Sequence, residues 1–298
     1  MNIVLYGRPQ ASFVEEDLNA LFAALDSNGL SYRINRDFAR LITEKTGRAF
    51  GENQLYDDSV RVDPRQDIMV SYGGDGTFLD CVRLLDHQPV PVVGINSGRL
   101  GFLANVTKQG MARAFADLKS GNYETTARTM IRIEGEFLQN PRFPYAFNEV
   151  SVQRNGPNMI STEVYVNDEM IATYWGDGIL VSTPSGSTAY SLSVGGPVVS
   201  PDCRCILISP IASHNLTMRP VVIPDDSSIR LKVASRERDF SISIDNQYYK
   251  AYNGASFKVT KAEKSIFLVR FQNISFYDTL RNKMMWGIDS REPCRSGR

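Results

Sequence analysis

The residues best placed to do chemistry are Gly73-Gly74-Asp75-Gly76-Thr77, set between an apolar run and a segment whose Phe78, Leu79, Val82 and Leu85 share one helical face. A strand that turns through glycines into a helix exposes unpaired backbone N–H groups. The aligned peptide dipoles add positive potential there, so a phosphate can sit on Gly73, Gly74, Gly76 and Thr77. Glycine suits the turn because a Cβ would block close approach or forbid positive φ. Asp75 is the anomaly. A carboxylate would repel the phosphate that the turn attracts, unless it binds a metal or takes a proton from an incoming hydroxyl. Phosphoryl transfer accommodates both, because there the protein mainly positions groups and offsets charge. The alternative is a tight structural turn in which Asp75 caps the helix.

Other polar groups stand where strands or helices begin or end. Asn148 and Glu149 interrupt a strand pattern with an amide and a carboxylate that together can bind paired ribose hydroxyls; an ordinary strand end is the alternative. Asp177 lies next to glycines and is suited to accept from an amide or exocyclic amine, or else to make a turn. The run Ser185, Gly186, Ser187 and Thr188 follows an apolar strand and offers hydroxyls that could equally cap a helix. Tyr190 could stack beside a base or fill a core. His214, near Pro210 and Arg219, reads as a structural hydrogen-bonder outside the catalytic set. There is no Gly-Lys dipeptide and no Gly-x-Gly-x-x-Gly, so the common nucleotide motifs do not compete. With His87 and His214 as the two histidines, a histidine-rich metal centre is excluded.

The elements that must hold these groups follow from periodicity. In the first third, apolar or helix-like runs at 3–6, 15–28, 67–72, 78–85 and 90–95 alternate as βαβ units around a parallel sheet. Residues 31–66 resist assignment: Phe38, Leu41 and Ile42 suggest a helix, whereas 51–58 is polar enough for a loop. After about residue 122 the period becomes two, as in Ile131 and Ile133, or Ile229, Leu231 and Val233. Turn pairs at Asn167-Asp168 and Asp245-Asn246 punctuate these strands. Leu280 and Met284 share one face of a short helix, and residues 291–298 read as a frayed tail. The expected organisation is an α/β nucleotide-binding domain over 1–121, to which 275–298 return, and a β-rich domain over 122–274.

Composition narrows the partners. At 298 residues, two domains are the default. Lys plus Arg and Asp plus Glu are 33 each, which removes the broad positive field that nucleic acid or anionic membrane binding would draw on; phosphate must be held locally. Cys81, Cys203, Cys205 and Cys294 form no Cys-x-x-Cys and read as reduced, structural thiols, with Cys203 and Cys205 spaced for adjacent strand positions. The first apolar stretch is too short for a signal peptide and no run reaches spanning length, so the expected location is cytoplasmic, with no membrane partner.

The pentapeptide is joined by GINSGRLGFL at 94–103, by Asn148-Glu149, by DGILVSTPSGSTAYSLS at 177–193, by Gly195-Gly196-Pro197, by His214 and Arg219-Pro220, and by TLRNKMMWG at 279–287. Together, in this order and over most of the chain, they resemble the NAD kinase family. The resemblance implies a Rossmann-like α/β domain, a β-sandwich domain, and a C-terminal segment returning to the first. It implies ATP-dependent phosphorylation of the adenosine-ribose 2′-hydroxyl of NAD to give NADP, with Mg²⁺ or another divalent cation on the phosphates. It also implies a homodimer or homotetramer. Asp75 then matches the family's proton acceptor. Asp75, Gly76, Asn148, Glu149, Asp177, Thr188, Ala189, Tyr190, Ser191, Leu192 and Ser193 match positions that contact the dinucleotide, and Gln247 resembles a further contact. Trp175 departs from the pattern, standing where relatives often carry Arg or Lys, and Asn158 falls near another basic position. A lipid or sugar kinase sharing only the turn, and a noncatalytic dinucleotide sensor, are the competing functions. Residues 186–193 and the lack of an apolar docking helix argue against a lipid acceptor.

Overall fold

Short apolar strands buried on both faces need helices on both sides, and that is how the chain begins. The computed structural model describes residues 1–298 apart from 99, 139–142, 273 and 288–298. In chain order the first elements are β1 (Asn2–Tyr6), α1 (Glu15–Ser27), β2 (Ser31–Asn35), α2 (Arg36–Thr46), β3 (Leu55–Tyr56), β4 (Asp67–Gly73), α3 (Asp75–Leu85), β5 (Pro91–Asn96), α4 (Met111–Ser120) and β6 (Glu124–Arg128). Ile3, Leu5, Val70 and Tyr72 pack with Leu18, Leu21 and Phe22 of α1, Phe38 of α2 and Phe115 of α4 in one core. The strand period sends Val4, Met69 and Val92 to the opposite face, where they are equally buried and where Phe78 and Leu85 of α3 are covered.

Within the segment 31–66 that sequence could not assign, β2 runs into α2 without a connecting loop, while 57–66 join β3 to β4 without helix or strand. Asn35 ends β2 and is also the cap of α2, its side chain accepting from the Phe38 N–H at 3.3 Å. With only Ile34 and Asn35 of β2 buried, the strand signal was too weak to read.

From residue 131 the chain is antiparallel: β7 (Ile131–Gly135), β8 (Tyr145–Ala146), β9 (Glu149–Arg154), β10 (Ile160–Val166), β11 (Glu169–Gly176), β12 (Gly178–Ser182), the four-residue helix α5 (Tyr190–Ser193), β13 (Cys205–Ile211), β14 (Val221–Pro224), β15 (Ile229–Ser235), β16 (Asp239–Ile244), β17 (Gln247–Tyr252) and β18 (Ser256–Lys261). They form two six-stranded sheets, ordered β11-β10-β15-β18-β7-β8 and β14-β13-β12-β9-β16-β17. Ile133, Val164, Leu231 and Val259 of one sheet meet Val152, Val181, Ile208 and Ile242 of the other, so the two pack as a sandwich. Asn167 and Asp168 turn β10 into β11 with φ of +50° and +66°, the twist that a two-residue hairpin needs. Cys203 precedes β13 rather than lying on it, so the spacing of Cys203 and Cys205 is not that of two strand positions; Cys81, Cys203 and Cys205 are free thiols.

The chain then adds β19 (Ile266–Arg270) and α6 (Phe276–Met284). β19 pairs in parallel with β5 and completes the seven-stranded sheet β3-β2-β1-β4-β5-β19-β6. By contacts, residues Met1–Thr126 and the described residues from Phe267 onward make one unit, and Ala127–Ile266 the other. Cys294 and the expected tail at 291–298 lie outside the described residues. Among the described residues no helix is long and apolar enough to cross a membrane.

Candidate active site

In the first unit, β1 is flanked by β2 on one side and β4 on the other, which makes the ends of β1 and β4 the point where strand order reverses. Open parallel sheets bind ligands beyond the carboxyl ends of strands at such points. The Gly73–Thr77 turn lies there, and the chain enters α3 immediately: Gly74 is the N-cap and Asp75 the first helical residue. Gly73 has φ +156°, and a Cβ on it would come 2.3 Å from Thr77 Oγ1, so the tight turn requires glycine. The Thr77 and Phe78 amides turn back to the Gly74 carbonyl at 3.0 and 3.2 Å. The N–H groups of Asp75 and Gly76 are left without an acceptor among the described residues, as a phosphate would require.

The Asp75 side chain does not cap its helix. Its carboxylate accepts three backbone N–H groups from another loop: Phe102 to Oδ2, and Leu103 and Ala104 to Oδ1, each at 3.0 Å. Gly101 makes this possible, since a Cβ there would lie 2.0 Å from Oδ1. Both lone pairs of Oδ1 are thereby engaged, whereas Oδ2 has one amide and, at 3.6 Å, the Lys283 ammonium. With the side chain 31% exposed, Oδ2 can still accept one more donor. Arg8, in the loop after β1, pairs with Asp80 and donates to the Gly76 carbonyl at 3.0 Å, which adds positive charge beside the turn. Sequence reasoning did not find Arg8, Gly101 or Lys283. The runs 94–103 and 279–287 contain Gly101 and Lys283 and were the available hints, but gave neither residue a role.

In the second unit, Asp245 organises the strand end at 147–149. Its carboxylate accepts from the Phe147, Asn148 and Glu149 amides at 2.7, 2.8 and 3.1 Å, and its own N–H donates to the Glu149 carbonyl. The turn expected at Asp245-Asn246 is present, but Asp245, at φ +48°, also holds backbone residues far away in sequence. Thr183 completes the frame: its N–H donates to the Asn148 carbonyl at 2.8 Å and its hydroxyl to the Phe147 carbonyl at 2.6 Å. The Asn148 and Glu149 backbones are thus fixed. Asn148 Oδ1 and Glu149 Oε2 are buried and find no partner among the described residues. Buried oxygens of this kind cost free energy unless a ligand or water meets them.

Burial pushes the Glu149 carboxyl up to about 8; the Asp245 charge adds to this, and the Tyr190 backbone N–H opposes it. Burial likewise raises Asp245 to about 6 against the three amides. Tyr190 is raised by desolvation and then by Asp177 and Glu149, so these three groups share one neighbourhood. Because the folded pKa values of Glu149 and Asp245 lie above their unfolded ones, their contribution to stability is whole at low pH. It is lost as pH rises through about 6 and then about 8. The unliganded protein is therefore expected to melt several degrees lower at pH 8.5 than at pH 6, and Glu149→Gln should flatten most of that difference. Melting curves across this range check it; a wild-type midpoint that rises with pH would contradict the burial of these acids.

Asp177 does not offer a free carboxylate, since Oδ1 accepts from Arg154 Nε at 2.6 Å. Arg154, in a stretch that aligns poorly with the family, thus pairs its cation with Asp177, while Trp175, two residues before Asp177, is exposed. Ser185–Thr188 form a single turn and Tyr190–Ser193 the helix α5, neither with a side-chain cap, so helix capping is not the role of these hydroxyls. Ser191 Oγ is likewise buried and without a partner among the described residues. Thr188, Ala189, Tyr190 and Leu192 are half-buried and Ser193 is exposed. Gln247 faces Ile244 across the Asp245 turn, its Oε1 accepting from the Tyr249 hydroxyl at 3.2 Å. His214 is exposed and donates its backbone N–H to the Trp175 carbonyl. Among the described residues no group of three or more His, Cys, Asp or Glu side chains could hold a metal ion.

A carboxylate seated by amides inside a phosphate-type turn is the chemistry of a kinase, and the comparisons with known proteins agree. Residues 33–123 match the model of the ATP-NAD kinase N-terminal domain and 147–271 that of the ATP-NAD kinase C-terminal domain. An NAD kinase of Flavobacterium johnsoniae is 38% identical over 299 residues, covering 98% of this chain and all of the relative. One of Bacteroides fragilis is 36% identical over 294 residues, with 98% and 100% covered. The chain belongs to the NAD kinase family of enzymes. Its fold is similar to that of yeast NADH kinase complexed with NADH, with a TM-score of 0.83 at 23% identity over 98% of this chain and 89% of that one. It is also similar to an Archaeoglobus fulgidus NAD kinase in complex with ATP, with a TM-score of 0.73 at 22% identity over 96% and 99%.

Proposed function

We propose that this enzyme transfers the γ-phosphoryl group of ATP to the 2′-hydroxyl of the adenosine ribose of NAD, giving NADP and ADP, with Asp75 as general base. The observation that carries the reading is the single open acceptor position on Asp75 Oδ2, beside amides left free by the start of α3. In this reaction the hydroxyl gives its proton to Oδ2 as its oxygen bonds to the γ-phosphorus. The bond from that phosphorus to the β–γ bridging oxygen breaks, and ADP leaves. The proton on Asp75 then passes to solvent. ATP is taken as its complex with Mg²⁺ or another divalent cation, which would neutralise phosphate charge.

The first unit carries the phosphoryl-transfer groups, Gly73 to Thr77 and Asp75. The second carries the dinucleotide-holding groups. Asn148 and Glu149 fit hydroxyl recognition because their buried free oxygens need donors, and NAD ribose hydroxyls supply them. The half-buried Tyr190 offers a stacking face, and the Asp177–Arg154 pair presents both a carboxylate and a cation. Thr188, Ala189, Ser191, Leu192, Ser193 and Gln247 line the same reading by position. We place the enzyme in the cytoplasm as a homodimer or homotetramer. Purified protein incubated with ATP, Mg²⁺ and NAD should form a product that an NADP-specific dehydrogenase reduces. No reducible product above background would refute the activity.

A further inference from the structure

Asp75 sets a negative charge where a triphosphate has to arrive, and something must offset it. The amides of residues 102–104 orient the carboxylate but carry no net charge. Lys283, near the end of α6, supplies one. Its ammonium lies 3.6 Å from Asp75 Oδ2 and 4.6 Å from the centroid of the Phe102 ring, while the Phe102 N–H donates to the same Oδ2. Asp75, Phe102 and Lys283 therefore close a small ring of contacts around one carboxylate oxygen. The Phe102 ring in turn packs on Phe276 of α6, with centroids 6.2 Å apart, and Thr279 and Leu280 bury the inner face of that helix. The position of Lys283 is thus set by the helix and not by the ion pair alone.

The spacing matters. At 3.6 Å the ammonium is beyond ordinary hydrogen-bond length, so it offsets the carboxylate charge without occupying the remaining acceptor position on Oδ2. Among the described residues it is the one cation within 4 Å of Asp75. With one-third of the Lys283 side chain exposed, the interaction is partly screened and its effect moderate.

We propose that Lys283 is a positioning residue for the phosphoryl transfer: it holds the Asp75 carboxylate against Phe102 and cancels its charge as the triphosphate approaches. The inference rests on Asp75 as the base. The test is kinetic, on the full chain, with Lys283→Met, Lys283→Arg, Asp75→Asn and the double variant Asp75→Asn/Lys283→Met. In Lys283→Met, kcat should fall about tenfold and the KM for ATP should rise, with the KM for NAD held within about twofold. Lys283→Arg should restore both. Adding Lys283→Met to Asp75→Asn should cost little further, as expected when one residue acts through the other. A purely structural role for α6 would lower the melting temperature and leave the KM for ATP in place. An unchanged KM for ATP, or full additivity in the double variant, overturns the proposal. If Asp75→Asn alone keeps wild-type turnover, it is the base assignment that fails.

Discussion

Replacing Asp75 with asparagine is expected to lower kcat about a thousandfold while NAD affinity changes no more than a few-fold. General-base catalysis contributes ~10²–10⁴ in rate, and an amide cannot take the hydroxyl proton. The substitution preserves shape, so the loss is chemical rather than steric. It does disturb the seat: an asparagine oxygen can accept from Leu103 and Ala104, but the amide nitrogen then faces the Phe102 N–H, which loses its acceptor. That costs about 1–2 kcal/mol of stability and should appear as a small fall in melting temperature. Apart from Asp75 and Gly76, the groups proposed to hold NAD belong to the second unit, where Asp245 and Thr183 frame residues 147–149, so binding should largely survive. Calorimetric titration of NAD against the variant, paired with steady-state turnover, separates the two effects. Turnover near the wild-type value would remove Asp75 from the mechanism.

Gly101→Ala should also lower kcat steeply, without touching a titratable group. The added methyl would sit 2.0 Å from Asp75 Oδ1 and 2.8 Å from its Cγ, well inside van der Waals contact. Relief has to come from the carboxylate leaving its amides or from the loop moving away. Gly101 is buried and its N–H donates to the Ala104 carbonyl at 3.1 Å, so the loop is itself tied. A displacement of about 1 Å at a reacting group costs on the order of a hundredfold in rate. We expect kcat to drop by roughly that factor, with NAD binding intact and melting only modestly lowered. A Gly101→Ala enzyme of normal kcat would mean that the seat formed by residues 101–104 is dispensable.

The sequence exposed what is local. The apolar run, glycine turn and helix at Asp67–Leu85 could be read directly, because hydrophobic period and glycine spacing are properties of neighbouring residues. The change from βαβ order to period two, and the Asn167-Asp168 hairpin, were legible for the same reason. The helix start was placed late, at Phe78 instead of Asp75, because the first turn carries no apolar residue to mark it. β2 was not legible, with only its last two residues buried, whereas Phe38, Leu41 and Ile42 hinted at α2 without giving its bounds.

Partners distant in the chain left no local trace. Nothing near Asp245 announces that its carboxylate holds the amides of 147–149, and nothing near Phe102 announces that its N–H serves Asp75. Asp177 was read as an acceptor for a ligand amine, yet Arg154 from a neighbouring strand already occupies one of its oxygens. The expectation of hydroxyl caps at 185–188 failed because that segment folds as a turn stabilised through Thr183, whose Oγ1 accepts from the Gly186 N–H at 3.1 Å. Composition and period report which face a residue takes. They do not report which strand end another loop will reach.

The most direct test of the central claim is the structure of the enzyme with NAD and a non-hydrolysable ATP analogue bound. The account expects the adenosine-ribose 2′-oxygen at hydrogen-bond distance from Asp75 Oδ2, about 2.6–3.2 Å, with the γ-phosphate on the Gly74–Gly76 amides. A complex in which that carboxylate stays with residues 102–104 and faces neither the ribose nor the triphosphate would contradict it.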